Sequence, residues 1–282
     1  MNRNASTVTT LTVATVVAAI GLAGCSSSKK ASATSSTAPA ASSSAAPASS
    51  AGPITPSVSG TVVVFAAASL MATFTTLATN FEQAHPGVKI VPSYGGSDTL
   101  ATQITEGAPV DVFAAASTTT MATVTKAGDG VGTPTVFAKN SLEIVVSPNN
   151  PDHIASLADV TKSGVKLALC ASSVPCGTAA TKAFAAAKLN PHPVTLEQDV
   201  TSVLTKVELG EVDAGIVYQT DVRSAGGKVA GVNFAEAASA INTYPIVVVK
   251  TGKNAVAGQE FLNYVVSPAG QKILQAAGFQ QP

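Results

Sequence analysis

Two serines stand out for the company they keep. Phe65-Ala66-Ala67-Ala68-Ser69-Leu70 carries an apolar stretch through three alanines into Ser69, just ahead of a helical stripe. Tyr94-Gly95-Gly96-Ser97-Asp98 repeats the arrangement, with strand-like residues, a flexible turn and a serine where a helix begins. Small residues let backbone approach a ligand closely, and a serine at a helix start offers its hydroxyl together with nearby amides. Taken singly, each motif also fits simple N-capping. Two of them, each after the carboxyl end of an expected strand, point to the sheet edge where α/β proteins bind ligands and helix N-termini collect unpaired amides. Neither motif contains Lys or Arg, so a compact anion there would be held by neutral donors. Each hydrogen bond to a charged group contributes about 1.5–3 kcal/mol, and several converging ones support tight binding.

Catalytic chemistry fits these residues poorly. Gly95-Gly96-Ser97-Asp98-Thr99 lacks the second glycine of a nucleophile elbow, and His85, His153 and His192 all neighbour loop-like sequence, as surface histidines do. The chain contains no HExxH, zinc-type cysteine pattern, Walker A loop or G-x-G-x-x-G. Asp98 and Asp199 read as first-turn acids favoured by a helix dipole rather than as a catalytic pair. The expectation is a binding protein and not an enzyme, with no cofactor.

The elements that position the serines follow from periodicity. Thr61–Ala66 reads as a buried strand, and Leu70, Phe74, Leu77 and Phe81 then fall at helical spacing until His85-Pro86-Gly87 stops the helix. Further strands are expected at Val88–Pro92, Val110–Ala114, Leu142–Ser147, Val165–Leu169, Ala214–Tyr218 and Tyr244–Lys250. Helices are expected at Asp98–Glu106, Thr118–Lys126, Gly177–Ala187, Asp199–Leu209, Ala255–Val266 and Pro268–Ala277, the last with Ser267 as N-cap and Pro268 at its first position. This alternation is the pattern of an α/β fold. The periodicity does not divide these roughly 220 residues between one sheet and two.

Ahead of this region lie segments of a different kind. Arg3 followed by the apolar Leu11–Leu22 has the form of a signal sequence, too short to span a bilayer comfortably, and Leu22-Ala23-Gly24-Cys25 resembles the bacterial lipobox. That likeness implies cleavage after residue 24 and lipids on Cys25; an ordinary secretory signal is the simpler alternative. Residues 25–59 are almost entirely Ser, Ala, Thr and Pro, the composition of a flexible tether. In an oxidising compartment the C-x5-C pair Cys170 and Cys176 suits a disulfide better than a metal site, with two free structural thiols as the alternative. The 282 residues carry no net charge, but residues 1–59 hold three bases and no acid, leaving thirteen bases against sixteen acids beyond them. A region near −3 is no bulk-electrostatic binder of nucleic acid.

Together, Val64–Leu70, Gly96-Ser97, Gly107-Ala108-Pro109-Val110-Asp111-Val112-Phe113-Ala114 and Gly210-Glu211-Val212-Asp213-Ala214-Gly215-Ile216-Val217-Tyr218 closely resemble the extracytoplasmic molybdate-binding proteins of ABC importers, the ModA family. The resemblance runs in order from about Gly60 to the C-terminus, and Cys170–Gly177 is similar to the actinobacterial branch. It implies an α/β fold of the type II periplasmic binding protein kind, a two-lobe clamshell with a mixed sheet in each lobe. Lobe 1 would take 60–137 plus 244–282 and lobe 2 would take 138–243. The ligand would be molybdate or tungstate, with sulfate or another tetrahedral oxyanion as the alternative. Ser69 and Ser97 would contribute hydroxyl and amide, Cys176 and Val200 their amides, and Tyr218 its hydroxyl. Many relatives have Ala where Cys176 stands, and since the family uses the amide there, the side chain need not interfere. The resemblance further implies a membrane permease as partner, a monomer, and a place outside the cytoplasm, anchored to the membrane through Cys25.

Overall fold

Residues 58–282 are described by a computed structural model; the expected leader, Cys25 and nearly all of the 25–59 tether lie outside them. The first sheet contains β1 (Gly60–Ala67), β2 (Val88–Gly95), β3 (Val112–Ala114), β4 (Gly130–Asn140) and β10 (Asn242–Val249), in the order β2-β1-β3-β10-β4. β1 runs parallel to β2 and β3, while β10 runs antiparallel to β3 and β4, so the sheet is mixed. Val62, Val64 and Ala66 alternate into its core, and Leu70, Phe74, Leu77 and Phe81 meet them from α1 (Met71–Ala84). α2 (Ser97–Thr105), α3 (Thr118–Lys126), α7 (Ala255–Val266) and α8 (Pro268–Ala276) complete the helices on this sheet. Ser267 caps α8, its hydroxyl accepting the Gly270 amide at 3.3 Å.

The second sheet contains β5 (Leu142–Val146), β6 (Leu167–Cys170), β7 (Thr195–Glu197), β8 (Ala214–Tyr218) and β9 (Ala230–Val232), in the order β7-β6-β8-β5-β9. It too is mixed, with β6 parallel to β7 and β8 and β5 antiparallel to β8 and β9. α4 (Pro175–Ala186), α5 (Val200–Glu208) and α6 (Gln219–Ser224) pack on it around a separate apolar core. The chain passes between the sheets at Ser141 and again through residues 233–241. The expected crossings, near Lys139 and Thr243, lie within a few residues of these, at the end of the β4–β10 ladder, which continues to the Asn140–Asn242 pair.

Apart from short 3₁₀ turns, four elements among the described residues were not expected from the sequence: β4, β7, β9 and α6. β4 is an edge strand, exposed or half-buried over its first seven residues and with little hydrophobic alternation, and the other three span only three to six residues. Pairing and packing, not periodicity, hold such segments in place.

Candidate functional site

Helix starts from both sheets converge on one small cavity. β1 ends in Ala67 and passes through a 3₁₀ turn, Ala68–Leu70, into α1. β2 ends at Gly95, and Gly96 stands as N-cap to α2, so Ser97 is the first helical residue. From the other sheet come Val174 and Pro175 opening α4, Asp199 capping α5, and Tyr218 ending β8. The cavity, about 20 Å³, is lined by Ser69, Ser97, Cys176, Val200 and Tyr218, all five residues expected at the site, with small residues and Asp199 between them. Organic ligands and cofactors occupy pockets of about 300–1,000 Å³, so this space suits a small ion.

The capping role that each serine also fitted is not what the structure contains. Ser69 lies within the 3₁₀ turn, and the residue capping α2 is Gly96, which supplies no side-chain bond. Both hydroxyls are engaged in ways that shape what they offer. Ser97 Oγ accepts the Ala116 amide at 3.0 Å, leaving its own hydrogen free to donate. Ser69 Oγ and Tyr244 Oη are 2.9 Å apart, and donation from Tyr244 likewise frees the hydrogen of Ser69. Tyr244 is fully buried in the first core.

The amides follow from helix geometry, because the first N–H groups of a helix have no intrahelical partner. α4 begins two residues earlier than expected, at Pro175, which puts Cys176 in its opening turn. Val200 is the first residue of α5. Asp199 departs from its expected place in the first turn and serves as the N-cap: its carboxylate accepts the Ser202 amide at 2.9 Å and the Ser202 hydroxyl at 3.1 Å. Asp98 does sit in the first turn of α2.

Tyr218 is 1% exposed and its hydroxyl has no hydrogen-bond partner among the described residues. A buried hydroxyl left unpaired costs about 1–3 kcal/mol, so this group awaits an acceptor. Burial, with Tyr244 and Asp221 adding to it, pushes the Tyr218 hydroxyl well above its usual range and keeps it a donor. Burial also raises Tyr244. Among the described residues, no Lys, Arg or His lines the cavity. His153 and His192 are exposed, and His85 rests half-buried against Phe81 with ring centroids 4.3 Å apart.

Two further features hold the wall. Cys170, ending β6, is disulfide-bonded to Cys176. A Cβ on the following residue, Gly177, would overlap the backbone of Cys170 and Ala171, so only glycine lets α4 start this close to the end of β6. Across the cleft, a Cβ at Gly96 would collide with the Gln198 carbonyl, and Ala68 packs into the apolar core of the second sheet. The two halves are thus in contact around the cavity. Sequence reasoning missed Ala116, Val174, Pro175 and the capping role of Asp199. Of these, Asp199 immediately before the helical segment that opens at Val200 carries a capping signal, Asp being a favoured N-cap residue.

The bacterial extracellular solute-binding protein family matches residues 62–280. "Molybdate-binding protein ModA" of Mycobacterium tuberculosis strain H37Rv is 43% identical over 221 residues, covering 78% of this chain and 85% of that protein. The chain belongs to the ModA family of extracellular solute-binding proteins. Its Escherichia coli K12 member, also named a molybdate-binding protein, is 32% identical over 231 residues, with 78% and 89% covered. Membership in this solute-binding family places the protein's work outside the cytoplasm. The periplasmic molybdate-binding protein of Azotobacter vinelandii shares the fold at a TM-score of 0.70, with 20% identity and 78% and 99% of the two chains covered. So does the sulfate-binding protein SubI of M. tuberculosis, at a TM-score of 0.68, with 18% identity and 78% and 86% covered. The fold is therefore common to carriers of different anions, and the site must decide between them. Among the described residues no helix is long and apolar enough to cross a membrane.

Proposed function

We propose that this protein captures molybdate, and tungstate comparably, in the cavity between the two sheets and delivers it to a membrane permease of an ABC importer. The observation that carries this reading is the wall of the cavity. Among the described residues it brings together two serines with hydroxyls poised to donate, two helix-opening residues and an unpartnered tyrosine hydroxyl, around about 20 Å³ without a cationic side chain. A tetrahedral dianion presents acceptors only, so a donor set of this kind matches it at every oxygen. A protonated phosphate would bring a hydrogen with no acceptor to meet, at a cost of about 1–3 kcal/mol.

Binding then drives closure. Ser69 and Ser97 belong to one half and Cys176, Val200 and Tyr218 to the other, so only the shut form offers the complete donor set. An anion that binds the closed form better shifts the population toward it, and the closed form is the one the permease receives. Attraction by the overall field does not explain capture, because the chain beyond residue 59 carries thirteen bases against sixteen acids. The positive potential is local, from oriented amides and hydroxyls. Processing at Cys25 and the 25–59 tether would hold the domain near the membrane with freedom to reach the permease, as a monomer.

Calorimetric titration with molybdate, tungstate, sulfate and phosphate tests the assignment. Molybdate and tungstate should bind alike and far more tightly than the others, and preference for sulfate overturns it. Ser69→Ala and Ser97→Ala should each weaken molybdate binding about tenfold or more, the loss of one charge-assisted hydrogen bond.

A further inference from the structure

A buried carboxylate is joined to the anion site through Tyr218 and does not itself line the cavity. Asp221 is 5% exposed, in the first turn of α6, and accepts the Tyr218 amide at 2.9 Å. It is thereby tied to Tyr218, which lines the cavity. No cation pairs with it among the described residues: Arg223, on the same helix, turns away to donate to the Ala276 carbonyl at 3.2 Å.

The groups facing Asp221 do not supply a counter-charge either. α5 contributes Asp199 at its head and, further along, Lys206 and Glu208; Lys206 lies within salt-bridge reach of Glu197 and Glu211, and Glu208 within reach of Lys228. β5 contributes Glu143, itself buried, β8 contributes Tyr218, and β9 has no charged residue. Across the cleft, the α1 and α8 residues that share a cavity wall with Asp221 are uncharged. Tyr244 is the remaining titratable neighbour.

We propose that Asp221 is a positioning residue that carries a proton when the oxyanion is bound, so that capture of the dianion takes up a proton at Asp221. The inference rests on the oxyanion reading given above. Two negative charges placed close to a buried, unpaired carboxylate repel it with little screening, and protonation removes the repulsion. The neutral acid still accepts the Tyr218 amide through its carbonyl oxygen, so Tyr218 keeps its place. Without ligand the group already leans this way. Burial, opposed by the Tyr218 amide and assisted by Asp199, raises its pKa to about 7. Asp199, also in the cavity wall, differs in that Ser202 donates to both of its oxygens.

The sign follows from linkage. Below the free-state pKa the proton is already present and binding is independent of pH; above it the proton must be recruited and affinity falls by up to about tenfold per pH unit. Molybdate itself stays a dianion through this range. The test is calorimetric titration of the protein with molybdate at about pH 6 and pH 8, in buffers of different ionisation enthalpy. The expected result is roughly tenfold weaker binding at the higher pH with uptake approaching one proton, and loss of both effects in Asp221→Asn, which retains an acceptor for the Tyr218 amide. Infrared difference spectra of the unmutated protein at pH 8 should gain a protonated-carboxyl band on molybdate addition, a readout that does not depend on the variant folding. A pH-independent affinity with no proton uptake overturns the proposal, as does a slope that persists in Asp221→Asn, which would put the proton elsewhere. Absence of molybdate binding at both pH values would instead overturn the oxyanion reading.

Discussion

Removing the Cys170–Cys176 bridge separates its contribution to stability from its contribution to binding. The bridge closes a loop with a sequence separation of 6 between the end of β6 and the first turn of α4. For a loop this short the chain-entropy relation gives about 2 kcal/mol. In a domain of this size 1 kcal/mol moves the melting temperature by about 2–4 °C, so Cys170→Ser/Cys176→Ser should melt roughly 4–8 °C lower. The loss at the anion site should be smaller, because other contacts also hold the Cys176 amide. The Val174 amide donates to Ala171 O at 3.1 Å, the Thr178 hydroxyl to Ser172 O at 2.8 Å, and Gly177 packs against the β6 end. One charge-assisted hydrogen bond sets the ceiling, and with the loop still braced the loss should stay within about tenfold. Scanning calorimetry with and without reductant, followed by molybdate titration of each form, measures both quantities. If the double variant and the reduced protein melt with the oxidised wild type, the bridge does not constrain this segment and the reasoning fails. An abolition of binding would refute the claim that the other contacts suffice.

Three further outcomes follow from particular residues. Gly96→Ala should largely abolish molybdate binding while leaving the ligand-free melting temperature within about 2 °C: Gly96 has an ordinary φ of −59°, the added methyl group meets the Gln198 backbone carbonyl only across the closed cleft, and within its own half it meets the Asp98 carboxylate, a side chain that can shift. Tyr218→Phe should weaken molybdate binding about tenfold yet leave the ligand-free protein as stable or more so, because the hydroxyl it removes is buried without a partner; thermal melts with and without ligand show both signs. For Asp221 the folded-state pKa of about 7 lies above the ordinary 3.8, so between these values the folded protein binds more protons than the unfolded chain. Stability supplied by this group is full below the lower value and lost as pH rises to the higher one. The melting temperature of the wild type should therefore fall relative to Asp221→Asn between about pH 4 and 7, and an unchanged difference across that range would refute the assignment.

The segments that face a core on periodic residues were legible. The Leu70–Phe81 stripe is the buried face of α1, and the runs read as strands from Thr61 and from Ala214 lie in the two sheets as β1 and β8. β4 was not legible because its first seven residues are exposed or half-buried without alternation, and its position comes from hydrogen bonding to β10, more than 100 residues later in the chain. The early start of α4 was hidden by Pro175, which reads as a break but is tolerated at the first helical position. Asp221 gave no signal at all, since the tyrosine, cavity and missing counter-charge that distinguish it are properties of its surroundings.

By itself the sequence determined the kinds of donor available and the class of fold, because small residues before a helix-opening serine and the alternation of apolar periods are local properties. It also determined, through the order of its motifs, the family to which those donors belong. Only the tertiary structure decided that Ser69 and Ser97 are not caps, that Tyr244 and Ala116 engage their hydroxyls, and that Tyr218 is left with a hydrogen to give. Each of these depends on which groups meet across long separations in the chain, Ser69 and Tyr244 being 175 residues apart. Which hydrogens remain free to meet an anion is settled by those partners, and composition and spacing carry no record of them.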